Sequence, residues 1–360
     1  TGRMGPASGS IPGLNLQRNH KEQASWMQEM TKPLIDSFGR VHSNMRVSVT
    51  DRCNIRCFYC MPDENVQFKP REDILSFEEI ERVVRVAAGR GVNKLRLTGG
   101  EPLVRAELPL LVNRLASIDG VEDIALTTNG ILLAEQAEAL CTAGLKRLNI
   151  SLDGLSEETF EKIARRPGLE KVLAGIRVAQ QLPFEKIRLN AVAIAGLSEQ
   201  EIIPLGRFAR EEQLELRFIE FMPLDAEGNW QAEQVLHGDV IRAQLEDAFG
   251  PLLPATRIDS SQPAMDFEFA DGGGRIGFIN PVSQPFCGDC NRLRVTAEGQ
   301  LRNCLFSHEE WNVRDVMRHG GSDEEISQLL TACVLAKKTG HGINSPDFQQ
   351  PSRAMFQIGG

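Results

Sequence analysis

Between residues 45 and 222 the chain keeps one rhythm, a short β-branched run followed by a longer helix-patterned segment. The runs are MRVSVT (45–50), KLRLTG (94–99), DIALTT (123–128), RLNISL (147–152), IRLNAVAI (187–194) and LELRFIEFM (214–222). Between them, FEEIERVVRVAAGRG (77–91) carries apolar residues at helical spacing and stops at glycine. LAEQAEALCTAG (133–144) and SEQEIIPLGRFAREE (198–212) do the same, with Pro204 a source of a kink in the latter. Strand, helix, strand at these intervals implies parallel βαβ units. No glycine-rich dinucleotide fingerprint accompanies them, so the expected fold is α/β, a partial (β/α)6 barrel of the TIM type.

That fold predicts where chemistry should sit. The polar strings TDRC, TGGEP, TTNG, SLDG and EFMP each follow a strand, and in α/β barrels the C-terminal strand ends share one mouth. Past 223 the rhythm breaks, and a Gly/Pro-rich stretch (250–290) with its own cysteines suggests an appendage closing that mouth. The expected division is a barrel over 33–222 and a C-terminal region over 223–360. Residues 1–32, rich in Gly, Ser, Asn, Gln and Pro without apolar periodicity, read as a disordered tail or expression remnant.

Charge narrows the function. Forty Lys and Arg against 49 Asp and Glu leave a net charge of −9, which argues against a general nucleic-acid or anionic-membrane binder. An anionic ligand must be gathered by local cations. No apolar run approaches bilayer length and the N-terminus lacks a secretory pattern, so a cytoplasmic protein is expected.

Six of the eight cysteines fall into two groups of three. Cys141 and Cys333 stand alone in apolar helix-like stretches and read as small buried residues. Cys53-x3-Cys57-x2-Cys60 sets three thiols on one short loop, enough to hold three irons of a cubane and leave the fourth open. The rival is a zinc knuckle completed by a distant ligand, but no His or Cys lies near enough to finish the set locally. Cys287-x2-Cys290-x13-Cys304 is also three ligands, and its spacing fits zinc, with His308 as fourth ligand, as well as iron–sulfur.

The first trio, with Tyr59 just before its last cysteine, resembles the radical S-adenosylmethionine enzymes. TGGEP (98–102) resembles that superfamily's second-strand motif, where glycines admit close backbone approach. CGDCNRLRVTAEGQLRNC resembles the C-terminal cluster segment of the GTP 3′,8-cyclases of molybdenum-cofactor biosynthesis. FGRVHSNMRVSVTDRCNIRCFYCMP, LRLTGGEPLVR, LTTNG, RLNISLDGL, RFIEFMP and a terminal Gly359-Gly360 extend the likeness over nearly all of 38–360.

The resemblance implies two [4Fe–4S] clusters, on Cys53, Cys57 and Cys60 and on Cys287, Cys290 and Cys304. It implies S-adenosylmethionine at Tyr59, Gly99, Gly100, Glu101, Thr128, Ser151 and Met222. It implies GTP at Arg46, Lys94, Arg96, Arg188, Arg217, Arg292 and Arg294, with Gly359 and Gly360 reaching the active site. The implied activity is reductive cleavage of S-adenosylmethionine, hydrogen abstraction from C3′ of GTP and closure of C3′ onto guanine C8. A low-potential electron donor, a homodimer and hand-over of product to the cyclic pyranopterin monophosphate synthase are implied as well. The rivals are a peptide-modifying two-cluster radical enzyme and a zinc-stabilised module without enzymatic activity.

Overall fold

The computed structural model describes residues 32–257 and 259–359. The predicted tail therefore lies outside the described residues except for Lys32, and Gly360 lies outside them too.

The six predicted strands are present: β1 (Asn44–Ser48), β2 (Lys94–Thr98), β3 (Asp123–Thr128), β4 (Arg147–Ser151), β5 (Lys186–Ala193) and β6 (Glu215–Glu220). The C-terminal region adds β7 (Leu252–Pro254), β8 (Met265–Phe269), β9 (Arg275–Ile279), β10 (Arg292–Val295), β11 (Gln300–Arg302) and β12 (Trp311–Asn312). All twelve join one open sheet in the order β12-β11-β10-β1-β2-β3-β4-β5-β6-β9-β8-β7. β1 to β6 pair in parallel, as crossover connections require, and β10 and β9 continue the parallel run at either edge. The region beyond 223 thus lengthens the barrel arc on both sides and adds residues such as Asp259, Phe286 and Met355 to the cavity lining.

Alternation along the strands separates core from cavity. On β1 and β2, Met45, Val47, Leu95 and Leu97 are buried in the main core with Ile80, Val83 and Val84 of helix Phe77–Gly89. That helix starts at a Ser76/Glu79 capping box, which satisfies two end donors reciprocally. Asn44, Arg46, Lys94 and Arg96 take the other face and line the barrel's interior. Pro204 falls in the first turn of helix Ile202–Glu211, where a missing N–H costs little. Cys333 is fully buried, whereas Cys141 is only partly buried, a correction to its reading as core.

Candidate active site

The loop after β1 is held by the glycines after β2. Gly100 N donates to Thr50 O at 2.8 Å and Glu101 N to Arg52 O at 2.7 Å. A Cβ on Gly99 (φ +152°) would lie 2.4 Å from Thr50 O, and one on Gly100 would lie 2.4 Å from Arg52 O. Both contacts are with backbone, so only glycine admits this approach. The pair is needed to seat the cysteine loop, whatever it also offers a ligand.

Cys53, Cys57 and Cys60 line the same cavity as Tyr59, Gly99, Gly100, Glu101, Thr128, Ser151 and Met222. Among the described residues no three His, Cys, Asp or Glu are drawn in to ion-binding distance of one another. The chemistry of the donor set nevertheless fits a cationic guest. Burial, then the nearby Glu101, pushes the Cys53 thiol up to about 11. Burial, then Asp153 and the two neighbouring thiols, raises Cys57 well above the ordinary range, and burial and Cys53 raise Cys60. At Cys53 the opposing pull of Arg56 is outweighed, and three crowded sulfurs held as thiols become thiolates when iron replaces their protons.

Glu101 acts as a clasp. Its carboxylate accepts from Leu103 N (2.9 Å), Thr128 Oγ1 (2.7 Å) and Asn129 N (2.7 Å), tying the turn after β2 to the end of β3. Asn129 in turn donates to Asn54 Oδ1 at 2.7 Å, beside Cys53. Asp153, which the sequence reading missed, accepts from Tyr59 Oη (2.7 Å) and Val192 N (2.8 Å) and so anchors the cysteine loop to β4 and β5. Its only sequence signal was its place in SLDG, a string after a strand.

Deeper in the barrel the strand register aligns the cations. Arg294, Arg46 and Arg96 are direct neighbours across β10, β1 and β2. The next row down places Arg292, Asn44 and Lys94 side by side. Arg188 pairs with Glu215 (2.6 Å), Arg217 with Asp266 (3.2 Å) and Lys94 with Asp259 (3.1 Å). Among the described residues Arg46, Arg96, Arg292 and Arg294 have no carboxylate partner. Burial, then Arg294 and Arg292, lowers Arg46 well below its ordinary pKa, and burial followed by Arg46 and Arg147 does the same to Arg96. Unpaired like charges crowded around one cavity call for an anion.

The second trio is built on a hairpin. β10 and β11 pair antiparallel with Arg294 opposite Arg302, which brings Cys290, before β10, to the same end as Cys304, after β11. The thirteen-residue gap is that hairpin. These three thiols do not line the cavity, although their neighbours Phe286, Asn291 and Leu305 do. Burial raises Cys287, but at Cys290 the opposing pull of Arg292 and Lys337 outweighs burial and brings the thiol down to about 6. His308, the sequence candidate for a fourth ligand, is exposed and hydrogen-bonded to Gln349 O at 3.3 Å.

The tail is packed, not frayed. Phe356 and Ile358 are buried, and Met355 N donates to Leu224 O at 3.0 Å. Gly359 has φ +69°, and a Cβ there would lie 2.8 Å from Thr98 Cγ2 and 3.2 Å from Ser48 Cβ. Its carbonyl accepts from Arg294, so the tail ends where β1 and β2 end.

An open parallel barrel carrying three cysteines on the loop after its first strand defines a radical S-adenosylmethionine protein, and residues 47–209 match the Radical SAM superfamily model. The solved structure of Streptococcus suis SuiB bound to S-adenosylmethionine shares the fold, with a TM-score of 0.57 at 13% identity over 97% of this chain and 83% of that one. Residues 214–343 match the model named Molybdenum Cofactor Synthesis C. The GTP 3′,8-cyclase of Rhodopirellula baltica is 52% identical over 343 residues, covering 94% of this chain and 96% of that one. That of Syntrophomonas wolfei subsp. wolfei is 44% identical over 91% of this chain and all of its own length. The chain belongs to the GTP 3′,8-cyclase family.

Proposed function

We propose that this protein is a GTP 3′,8-cyclase, catalysing an early step of molybdenum-cofactor biosynthesis, with the residue roles that follow. The observation that carries the reading is the unpaired arginine row Arg294–Arg46–Arg96, set inside the same cavity as the first cysteine trio. A polyanion satisfies the row, and the cysteine loop lies above it.

A [4Fe–4S] cluster on Cys53, Cys57 and Cys60, when bound, supplies the electron that splits S-adenosylmethionine into methionine and a 5′-deoxyadenosyl radical. Gly99, Gly100, Thr128, Ser151, Met222 and the Tyr59 backbone hold S-adenosylmethionine, and Glu101 keeps their loops in register. Arg46, Arg96, Arg292 and Arg294, with Lys94, Arg188 and Arg217, hold the triphosphate, where bidentate guanidinium geometry suits phosphate oxygens. So fixed, the ribose offers C3′–H to the radical; C3′ then adds to guanine C8, and one electron and one proton complete 3′,8-cyclo-7,8-dihydro-GTP. The barrel wall and the tail as far as Gly359 exclude water from this chemistry.

Cys287, Cys290 and Cys304 would hold a second [4Fe–4S] cluster, whose role when bound would be to orient the purine. The hairpin supports this, since it sets the trio behind Arg292 and Arg294, next to the cavity. The same reading includes a barrel unit over 33–222 and a C-terminal unit over 223–360, a low-potential electron donor, a homodimer and delivery of product to the cyclic pyranopterin monophosphate synthase. No helix among the described residues is long and apolar enough to cross a membrane, and we place the reaction in the cytoplasm. Cys57→Ala should abolish 5′-deoxyadenosine formation, whereas Cys290→Ala should cripple GTP turnover while uncoupled cleavage persists. Equal loss of both activities in Cys290→Ala would refute the division of roles.

A further inference from the structure

Lys337 is a buried cation that the reaction above does not use. It is only 5% exposed, and among the described residues no carboxylate pairs with it. Its three donors are fully committed: to Arg292 O at 2.9 Å, to Asn303 O at 2.8 Å and to Cys290 Sγ at 3.4 Å. These contacts join Cys290 and the residue two past it to the residue before Cys304, so one ammonium clips both parts of the second trio together. Two of the partners are neutral carbonyls. A buried charge needs a counter-charge, and the sulfurs of the second trio supply it, Cys290 by direct contact and Cys304 through space.

The segment carrying Lys337 is itself clamped. Arg40, paired with the buried Asp36 at 2.6 Å, donates to Lys338 O at 2.8 Å and to Cys287 O at 2.7 Å. The ammonium is therefore held against the trio from the far side by an independent element. The first trio has no ammonium hydrogen-bonded to a sulfur among the described residues; its nearby cations, Arg56 and Arg165, act through space, Arg56 donating to the Cys53 carbonyl. Its sulfurs lie near the carboxylates of Glu101 and Asp153, and Asn129, the nearest side-chain donor to Cys53, is a neutral amide at 3.8 Å.

We propose that Lys337 is a positioning residue for the second cysteine trio, fixing the Cys290 sulfur and raising the reduction potential of the cluster that trio holds. A positive charge and an N–H donor at a ligating sulfur both favour the reduced cluster, which carries one more electron. The inference rests on the reading that Cys287, Cys290 and Cys304 hold a [4Fe–4S] cluster.

The test uses the full chain carrying Cys53→Ala, Cys57→Ala and Cys60→Ala, reconstituted anaerobically with iron and sulfide so that the second site alone is loaded. Its midpoint is read by EPR during titration with dithionite. Adding Lys337→Met should lower the midpoint by at least ~59 mV, a tenfold shift of the oxidised-to-reduced ratio for a one-electron couple. Lys337→Arg should restore it, which a purely structural role would not require. A loaded Lys337→Met protein with the parent's midpoint would overturn the proposal while leaving the cluster assignment intact. Should Lys337→Met fail to take up iron, Lys337→Gln keeps a donor without the charge, and a parental midpoint there is equally decisive. A parent that takes up zinc or no iron would sink the cluster reading and the proposal together.

Discussion

Arg96→Met tests whether the cation row exists for a ligand or for the fold. Arg96 neighbours Arg46 across β2 and β1, strands spaced about 4.8 Å apart. At about 6 Å between guanidinium groups and an effective dielectric of about 20, one like-charge pair costs about 3 kcal/mol. Arg96 is only partly buried, facing an open cavity, so water and ions screen much of that, leaving about 1 kcal/mol. Methionine keeps the apolar stem and removes the charge. Urea unfolding without ligand should therefore show the variant as stable as the parent, or more so by about 1 kcal/mol. Calorimetric titration should show the opposite for GTP, with charge-assisted hydrogen bonds worth about 1.5–3 kcal/mol, or about 10–150-fold in affinity. Guanosine, lacking phosphates, should bind parent and variant alike. A variant destabilised by more than about 1 kcal/mol that still binds GTP normally, or one that loses guanosine as much as GTP, would refute the reasoning.

Three further outcomes follow from single contacts. Gly100→Ala puts a Cβ 2.4 Å from Arg52 O and 2.7 Å from its carbonyl carbon, so it should strip iron from the first site only; unchanged first-cluster EPR would contradict the seating role. His42, fully buried beside Asp36, is lowered to about 4 by burial and then by Lys337. The unfolded ring takes its proton near 6.5 and the folded ring only near 4, so stability should fall by about 3 kcal/mol as pH drops through that window. Denaturant unfolding should show that loss in the parent and a flatter profile in His42→Gln; parallel profiles would refute it. Gly359→Ala, at φ +69° with Thr98 Cγ2 2.8 Å from the new carbon, should lower cyclisation with little change in the unfolding midpoint; full turnover would leave the tail without a catalytic role.

Much of this architecture was legible because it is local. β-Branched runs and helical spacing are read over a few residues, and the six strands fall within two residues of the runs quoted from the sequence. The first trio is legible for the same reason, since one loop carries all of it. What pairing and long-range closure decide was not legible. Nothing in the spacing of Cys290 and Cys304 says that the interval is a hairpin, and nothing near 292 says that β10 lies beside β1. Partner assignment was hidden likewise: in the sequence the seven basic residues look equivalent, while Glu215, Asp266 and Asp259 neutralise three of them and, among the described residues, leave Arg46, Arg96, Arg292 and Arg294 without a carboxylate. Lys337, more than thirty residues past Cys304, carried no signal at all.

The most direct test of the account is the fate of GTP itself. The reconstituted protein, incubated anaerobically with GTP, S-adenosylmethionine and a strong reductant, should release 5′-deoxyadenosine in step with GTP loss. Mass and NMR should identify a nucleotide of unchanged mass bearing a new C3′–C8 bond. Release of 5′-deoxyadenosine with GTP recovered intact would contradict it.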